Sequence, residues 1–167
     1  MTETLKILTL KLEHLSRMQL DLDYSVGKMA APLGKFGSNN IESLTNDERE
    51  TVAAFNSRFS SYQEQLGKAF KGIAIEEDVT SESFGPIFAL MEKLGVLEDL
   101  AKWKEVRLLR NAVNHEYEDD AEILFQAFNN MIKNVPYLHS VHDKIRTFVK
   151  ETYLDPLENR ARRIPRI

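Results

Sequence analysis

The chain has 167 residues and no cysteine, so disulfides, cysteine-ligated zinc and thiol nucleophiles are excluded, and nothing points to an oxidising compartment. A cytoplasmic location is the default expectation. A long apolar run is also missing. The N-terminal stretch MTETLKILTLKLEHL mixes apolar with charged residues, so neither a secretory leader nor a membrane span is expected. Nor is there an excess of positive charge. Lys and Arg number 22 against 26 Asp and Glu, giving a formal net charge of -4, which argues against a protein that coats nucleic acid through bulk electrostatics but leaves room for a local basic patch. Period-two alternation and fixed-period repeats are absent as well, which removes the sheet and solenoid classes. What remains is an ordinary apolar fraction of 43%, enough for one domain with a real core.

Helical spacing organises that apolar content. Leu5, Leu8, Leu12, Leu15, Leu22, Val26 and Met29 recur at steps of three and four, with Gln19 in the one slot that breaks the stripe, and predict a long first helix. It is expected to stop near Pro32 and Gly34, with a loop from about Pro32 to Leu44 over the turn-rich GKFGSNNIES. Thr45 and Glu48 have the form of a capping box, opening a second helix that carries Val52, Phe55, Phe59, Tyr62, Leu66, Phe70 and Ile73 to about Glu76. A short helix fits Pro86 to Leu94, with Gly95 ending it in a left-handed cap. Leu100, Trp103, Val106, Leu109 and Val113 mark the next helix, from about Glu98. Another follows from Ile123, with Pro136 expected to kink or interrupt it before the pattern resumes at Leu138. The fold class is therefore all-α, an up-and-down helical bundle over residues 1–153, followed by a basic, mobile tail over 154–167.

One stretch carries candidate chemistry. RNAVNHEY, from Arg110 to Tyr117, places a permanent cation, a titratable imidazole and a phenol on one predicted helix, with the amides Asn111 and Asn114 between them. Phosphodiester cleavage uses such groups. On an uninterrupted helix, however, Arg110 and His115 point about 140° apart. Sharing one phosphate requires a helix that ends or distorts around Asn114, or two subunits that set their motifs face to face. Arg110 and Tyr117 fall on nearly one face, so the phenol would border the site.

Arg-Asn, then His, then Tyr two positions on, followed by acidic residues and a new apolar helix, resembles the HEPN domain and, more narrowly, the HepT toxins. The signature is an Arg, four residues, a His, one residue and a Tyr, here Arg110, His115 and Tyr117. The resemblance in helix order extends loosely from Leu5 to about Tyr153, while the GKFGSNNIES loop and the C-terminal arginines are departures. It implies a homodimer with a composite cleft and metal-independent RNA cleavage, without a cofactor, in which His115 and Arg110 act on the phosphodiester. A near-neutral imidazole moves the proton of a 2'-hydroxyl or of the leaving oxygen. The guanidinium stabilises the charge of the transition state, and Asn111 or Asn114 orients the phosphate. The resemblance further implies an antitoxin partner, a nucleotidyltransferase of the MNT class, which silences the toxin by attaching AMP to Tyr117 or merely occludes the cleft.

Other features point less far. Lys102, Lys104 and Arg107 precede Arg110 and suit an electrostatic track for RNA, against the commoner reading of a solvated helix face. Arg160, Arg162, Arg163 and Arg166 suit a grip on RNA or partner as well as a solubilising tail. His139 and His142 stand three apart, yet lack the further ligands that a metal site needs. Gly34 and Gly37 read as loop residues. Two alternatives to the toxin stay open: a HEPN module that binds nucleotide or RNA without cutting it, and a structural dimeric adaptor.

Overall fold

The computed structural model describes residues 1–110 and 120–163, and among them the protein is helical with no strand. Helix α1 spans Glu3–Gly27. Its N-cap, Thr2, accepts from the Leu5 amide at 3.0 Å, satisfying one of the orphan donors of the first turn. The predicted stripe is the buried one: Leu5, Leu8, Leu15 and Leu22 are all but sealed from solvent.

The chain departs from expectation after Gly27. Helix α2 runs Ala30–Gly37 where a loop was expected, and a short 3-10 turn follows at Ile41–Ser43. Pro32 does not stop the chain because it falls in the first turn of α2, where its missing amide has no intrahelical partner to lose. Burial decides the rest. Phe36 is 3% exposed and stacks on Phe128 with ring centroids 5.5 Å apart, and Lys35 pairs with Glu48 at 2.5 Å. That packing overrides the turn propensity of Gly34 and Gly37.

Helix α3, Asn46–Glu76, starts on the predicted capping box, with both reciprocal bonds between Thr45 and Glu48 present. It runs antiparallel to α1, as three cross-links show. Lys11 donates to Gln65 at 2.9 Å, Arg58 donates to Ser25 at 2.7 Å, and Leu8 lies against Gly72. Helix α4, Phe84–Lys93, ends as the sequence predicts: Gly95 takes φ +78° and its amide bonds to the Glu92 carbonyl. Helix α5, Leu100–Leu109, is capped by Asp99, whose carboxylate accepts from the amides of Ala101 and Lys102.

Helix α6 spans Ala121–Val149 as one element, with Pro136 inside it. Of the two expected effects, a kink or an interruption, the interruption does not occur. An internal proline costs about 3 kcal/mol, and the flanking Val135, Leu138, Val141 and Ile145 are each buried, worth roughly 1.5–3 kcal/mol apiece. Pro136 itself is exposed, on the side where water can take the carbonyl that loses its amide. A π-helical turn, Lys150–Leu154, leads into α7, Asp155–Arg163. Part of the stretch expected as a mobile tail is thus helical. Tyr153 donates to Glu77 at 2.5 Å and Leu157 packs against the core.

Contacts give α6 its direction. Phe55 meets Phe128 and Tyr62 meets His139 and His142, so α6 runs parallel to α3. Lys102 over Tyr137 and Lys144 on Glu98 set α5 antiparallel to α6. The four helices α1, α3, α5 and α6 alternate in direction, with α2 and α4 as short additions. Trp103, Phe70 and Phe88 interlock at one place in the core, with centroids 4.9 to 6.2 Å apart.

Candidate functional site

Arg110 follows the last residue of α5 and occupies its C-terminal cap, with φ -61° and ψ -28°. Trp103 and Val106 bury the inner face of α5, and this leaves its polar side turned outward. There Lys104, Arg107, Leu108 and Arg110 line a groove of 480 Å³ with Gly85 and Phe88 of α4. The two expected RNA-binding cations therefore share one surface with the expected catalytic arginine. None of the three has a carboxylate partner among the described residues.

Arg107 is the best held of the three. Its guanidinium lies 5.4 Å from the Phe84 ring and 5.3 Å from the Phe88 ring, and those rings stack on each other at 5.4 Å. Such cation–π contacts are worth about 0.5–1 kcal/mol at an exposed position. They hold the fork beside the groove. Phe84, Gly85 and Phe88 were not foreseen as neighbours of the motif. The four-residue spacing of the two phenylalanines placed them on one helix face, but nothing local paired that face with α5.

Lys102 leaves the track. It lies 3.7 Å from Glu105 and 5.8 Å from the ring centre of Tyr137, beside Glu98 and Asp99 in a separate cavity facing α6. Burial, with Asp99 and Glu98 adding to it, pushes the Tyr137 phenol up to about 12. Asn111, Asn114, His115 and Tyr117 lie outside the described residues, and so do Arg166 and the side chain of Arg163. Arg160 and Arg162 are exposed on α7.

His139 and His142 have another task than metal binding. Both turn Nδ1 to the Tyr62 hydroxyl, at 3.2 and 2.9 Å. His139 Nε2 reaches Asp23 at 2.6 Å, and His142 Nδ1 also faces Gln19 Oε1 at 3.0 Å. Because a carboxylate only accepts, His139 donates from Nε2 to Asp23, and its Nδ1 accepts from Tyr62. The Tyr62 oxygen then accepts from His142 Nδ1–H, which it shares with Gln19. In this arrangement the five polar side chains tie α1, α3 and α6 together. His142 Nε2 is left with a lone pair and no partner among the described residues, in a side chain with no exposure. Burial, with Arg146 adding to it, holds the His142 imidazole down at about 4, so the ring is neutral at pH 7. Burial raises the Tyr62 phenol far above its ordinary range. Gln19, which breaks the apolar stripe of α1, is explained by this network.

Among the described residues, no group of three or more His, Asp and Glu side chains is placed to hold a metal ion, and no helix is long and apolar enough to cross a membrane. Comparison of the chain with protein-family models, with curated proteins and with solved structures gave no match.

Proposed function

We propose that the protein is a metal-independent RNA endonuclease of the HEPN kind, acting as the toxin of a toxin–antitoxin pair. The observation that carries this reading is the groove at the end of α5, where Lys104, Arg107 and Arg110 stand together without a compensating carboxylate among the described residues. A polyanion is the ligand that such a groove attracts, through the counterions that its phosphates release. Arg110 supplies the fixed charge that the pentacoordinate phosphorus needs. His115, five residues on, supplies the proton transfers, and Asn111 and Asn114 orient the phosphate. Two copies form the composite cleft that the RNAVNHEY resemblance implies. An MNT-type nucleotidyltransferase is the antitoxin, and its AMP on Tyr117 adds a phosphate charge and bulk at the mouth of the site.

Purified protein incubated with RNA in EDTA tests the proposal. Cleavage by the wild type, lost in both Arg110→Ala and His115→Ala, is the expected result. Cleavage that survives both changes overturns it. Tight RNA binding with no cleavage by the wild type assigns the groove to binding alone.

A further inference from the structure

A second groove, of 600 Å³, runs between α1 and α3 and shares no lining residue with the one beside Arg110. Its wall is rich in cations. Lys11, His14 and Arg17 of α1 line it at steps of three residues, about 4.5 Å of rise each. Ser61 and Gln65, one turn apart, face them from α3. Leu15 is buried and Met18 half-buried between the polar residues, and they give the groove an apolar floor. Asp21 is the one carboxylate among the lining residues, and it stands beyond His14 by about 10 Å along the helix axis.

The surplus of hydrogen-bond donors identifies the chemistry of the ligand. Lys11 donates to Gln65 at 2.9 Å, and because an ammonium only donates, the amide oxygen faces Lys11 while the amide nitrogen keeps both protons. No acceptor takes them among the described residues. Lys11, His14 and Arg17 likewise have no carboxylate partner there, and Glu64, next to Gln65, is engaged by Lys68 at 3.2 Å. Such a set suits an oxyanion, which accepts several short charge-assisted bonds at once. Burial, with Lys68 adding to it, holds the Lys11 ammonium below its ordinary range. An anion beside it relieves a charge that the fold has partly withdrawn from water.

We infer that this groove binds a small phosphate ester of a polyol, with the phosphate among Lys11, His14, Arg17 and the Gln65 amide, and the carbon body along Met18 towards Asp21. The double charge of a phosphate monoester matches two ammonium and guanidinium cations beside a titratable ring. The groove has room for more than phosphate. Its volume falls within the range of small-molecule sites, and Asp21 and Ser61 offer acceptors to hydroxyl groups of the ligand beyond the cationic end. The inference does not depend on the role of Arg110, because the two grooves are built on different helices.

Carbon–proton correlation spectra of the histidine rings in the full chain test the site, since the chain has 4 histidines and His14→Gln identifies the signal of His14. The probes are glycerol phosphate, inorganic phosphate and glycerol, each added at an ionic strength held constant with chloride. Saturable movement of the His14 signal by glycerol phosphate is expected, with inorganic phosphate about tenfold weaker and glycerol without effect. Lys11→Met and Arg17→Met should each weaken the ester by about tenfold or more, as the loss of one charge-assisted hydrogen bond predicts. Asp21→Ala should bring the ester down to the level of inorganic phosphate without weakening the latter. Arg17 is exposed, so its variant carries the test if that of Lys11 fails to fold, and circular dichroism verifies the helices. A His14 signal that stays still or moves without saturating, equal binding of ester and inorganic phosphate, or cation variants that bind like the wild type each overturn the inference. Phosphate read at His115 alone, or RNA moving His14 where the ester does not, overturns it too.

Discussion

Lowering the pH from 7.5 to 4.5 should cost the protein stability through His142 in particular. The folded state holds this imidazole at about 4, against about 6.5 for a free histidine. With the folded value depressed, the unfolded chain binds more protons than the fold across that window. Stability is therefore complete above about pH 6.5 and falls as the pH drops towards 4. Between pH 7.5 and 4.5 the linkage amounts to about 2 to 3 kcal/mol. The size is physically reasonable, because protonation would create a charge at a ring nitrogen with no exposure and no described partner. Urea unfolding followed by circular dichroism measures it. With a slope of about 2 kcal/mol per molar urea, the wild-type midpoint should fall by about 1 M more than that of His142→Asn. The asparagine amide keeps a donor near the position of Nδ1 for Tyr62 and Gln19 but does not titrate, so carboxylate protonation elsewhere cancels in the comparison. Equal losses in the two proteins would refute the reasoning.

Two further outcomes follow from other parts of the molecule. Gly95→Ala forces a side chain onto φ +78° at the end of α4 and should cost about 1 kcal/mol, read as a drop of a few degrees in the thermal midpoint; an unchanged midpoint would show that the cap tolerates a Cβ. RNA binding through the α5 groove should weaken with salt, and Lys104→Ala should lower the slope of log affinity against log salt by about 0.7. A slope that does not move would place the RNA away from this groove.

Several elements were legible because their signals are local. The Thr45–Glu48 capping box lies within one turn, Gly95 marks its own helix end, and the leucines of α1 repeat within the helix that buries them. The differences have equally definite causes. Pro32 reads as a break and Pro136 as a kink or a break, but both lie within helices, one because its first-turn position makes it harmless and the other because the residues around it are buried on both sides. The helix at 155–163 was hidden by its basic composition, and Leu157 gives it a contact with the core. At the candidate site, the proximity of Lys104, Arg107 and Arg110 could be read from helical spacing, whereas Phe84 and Phe88 enter only because α4 packs beside α5.

The sequence by itself determined the all-helical class, most helix starts and stops, the buried face of the longer helices, and the run of Arg110, Asn111, Asn114, His115 and Tyr117 that suggests a chemistry. Those are properties of short windows, set by backbone propensity, capping and a period of 3.6 residues. Tertiary structure alone decided that Lys102 turns to Tyr137 while Lys104 stays with Arg107. It alone brought Gln19, Tyr62 and His142 together from three helices. The reason is that a local window fixes which face of a helix is apolar, but the neighbour against which that face comes to rest depends on how all the helices fill the core at once.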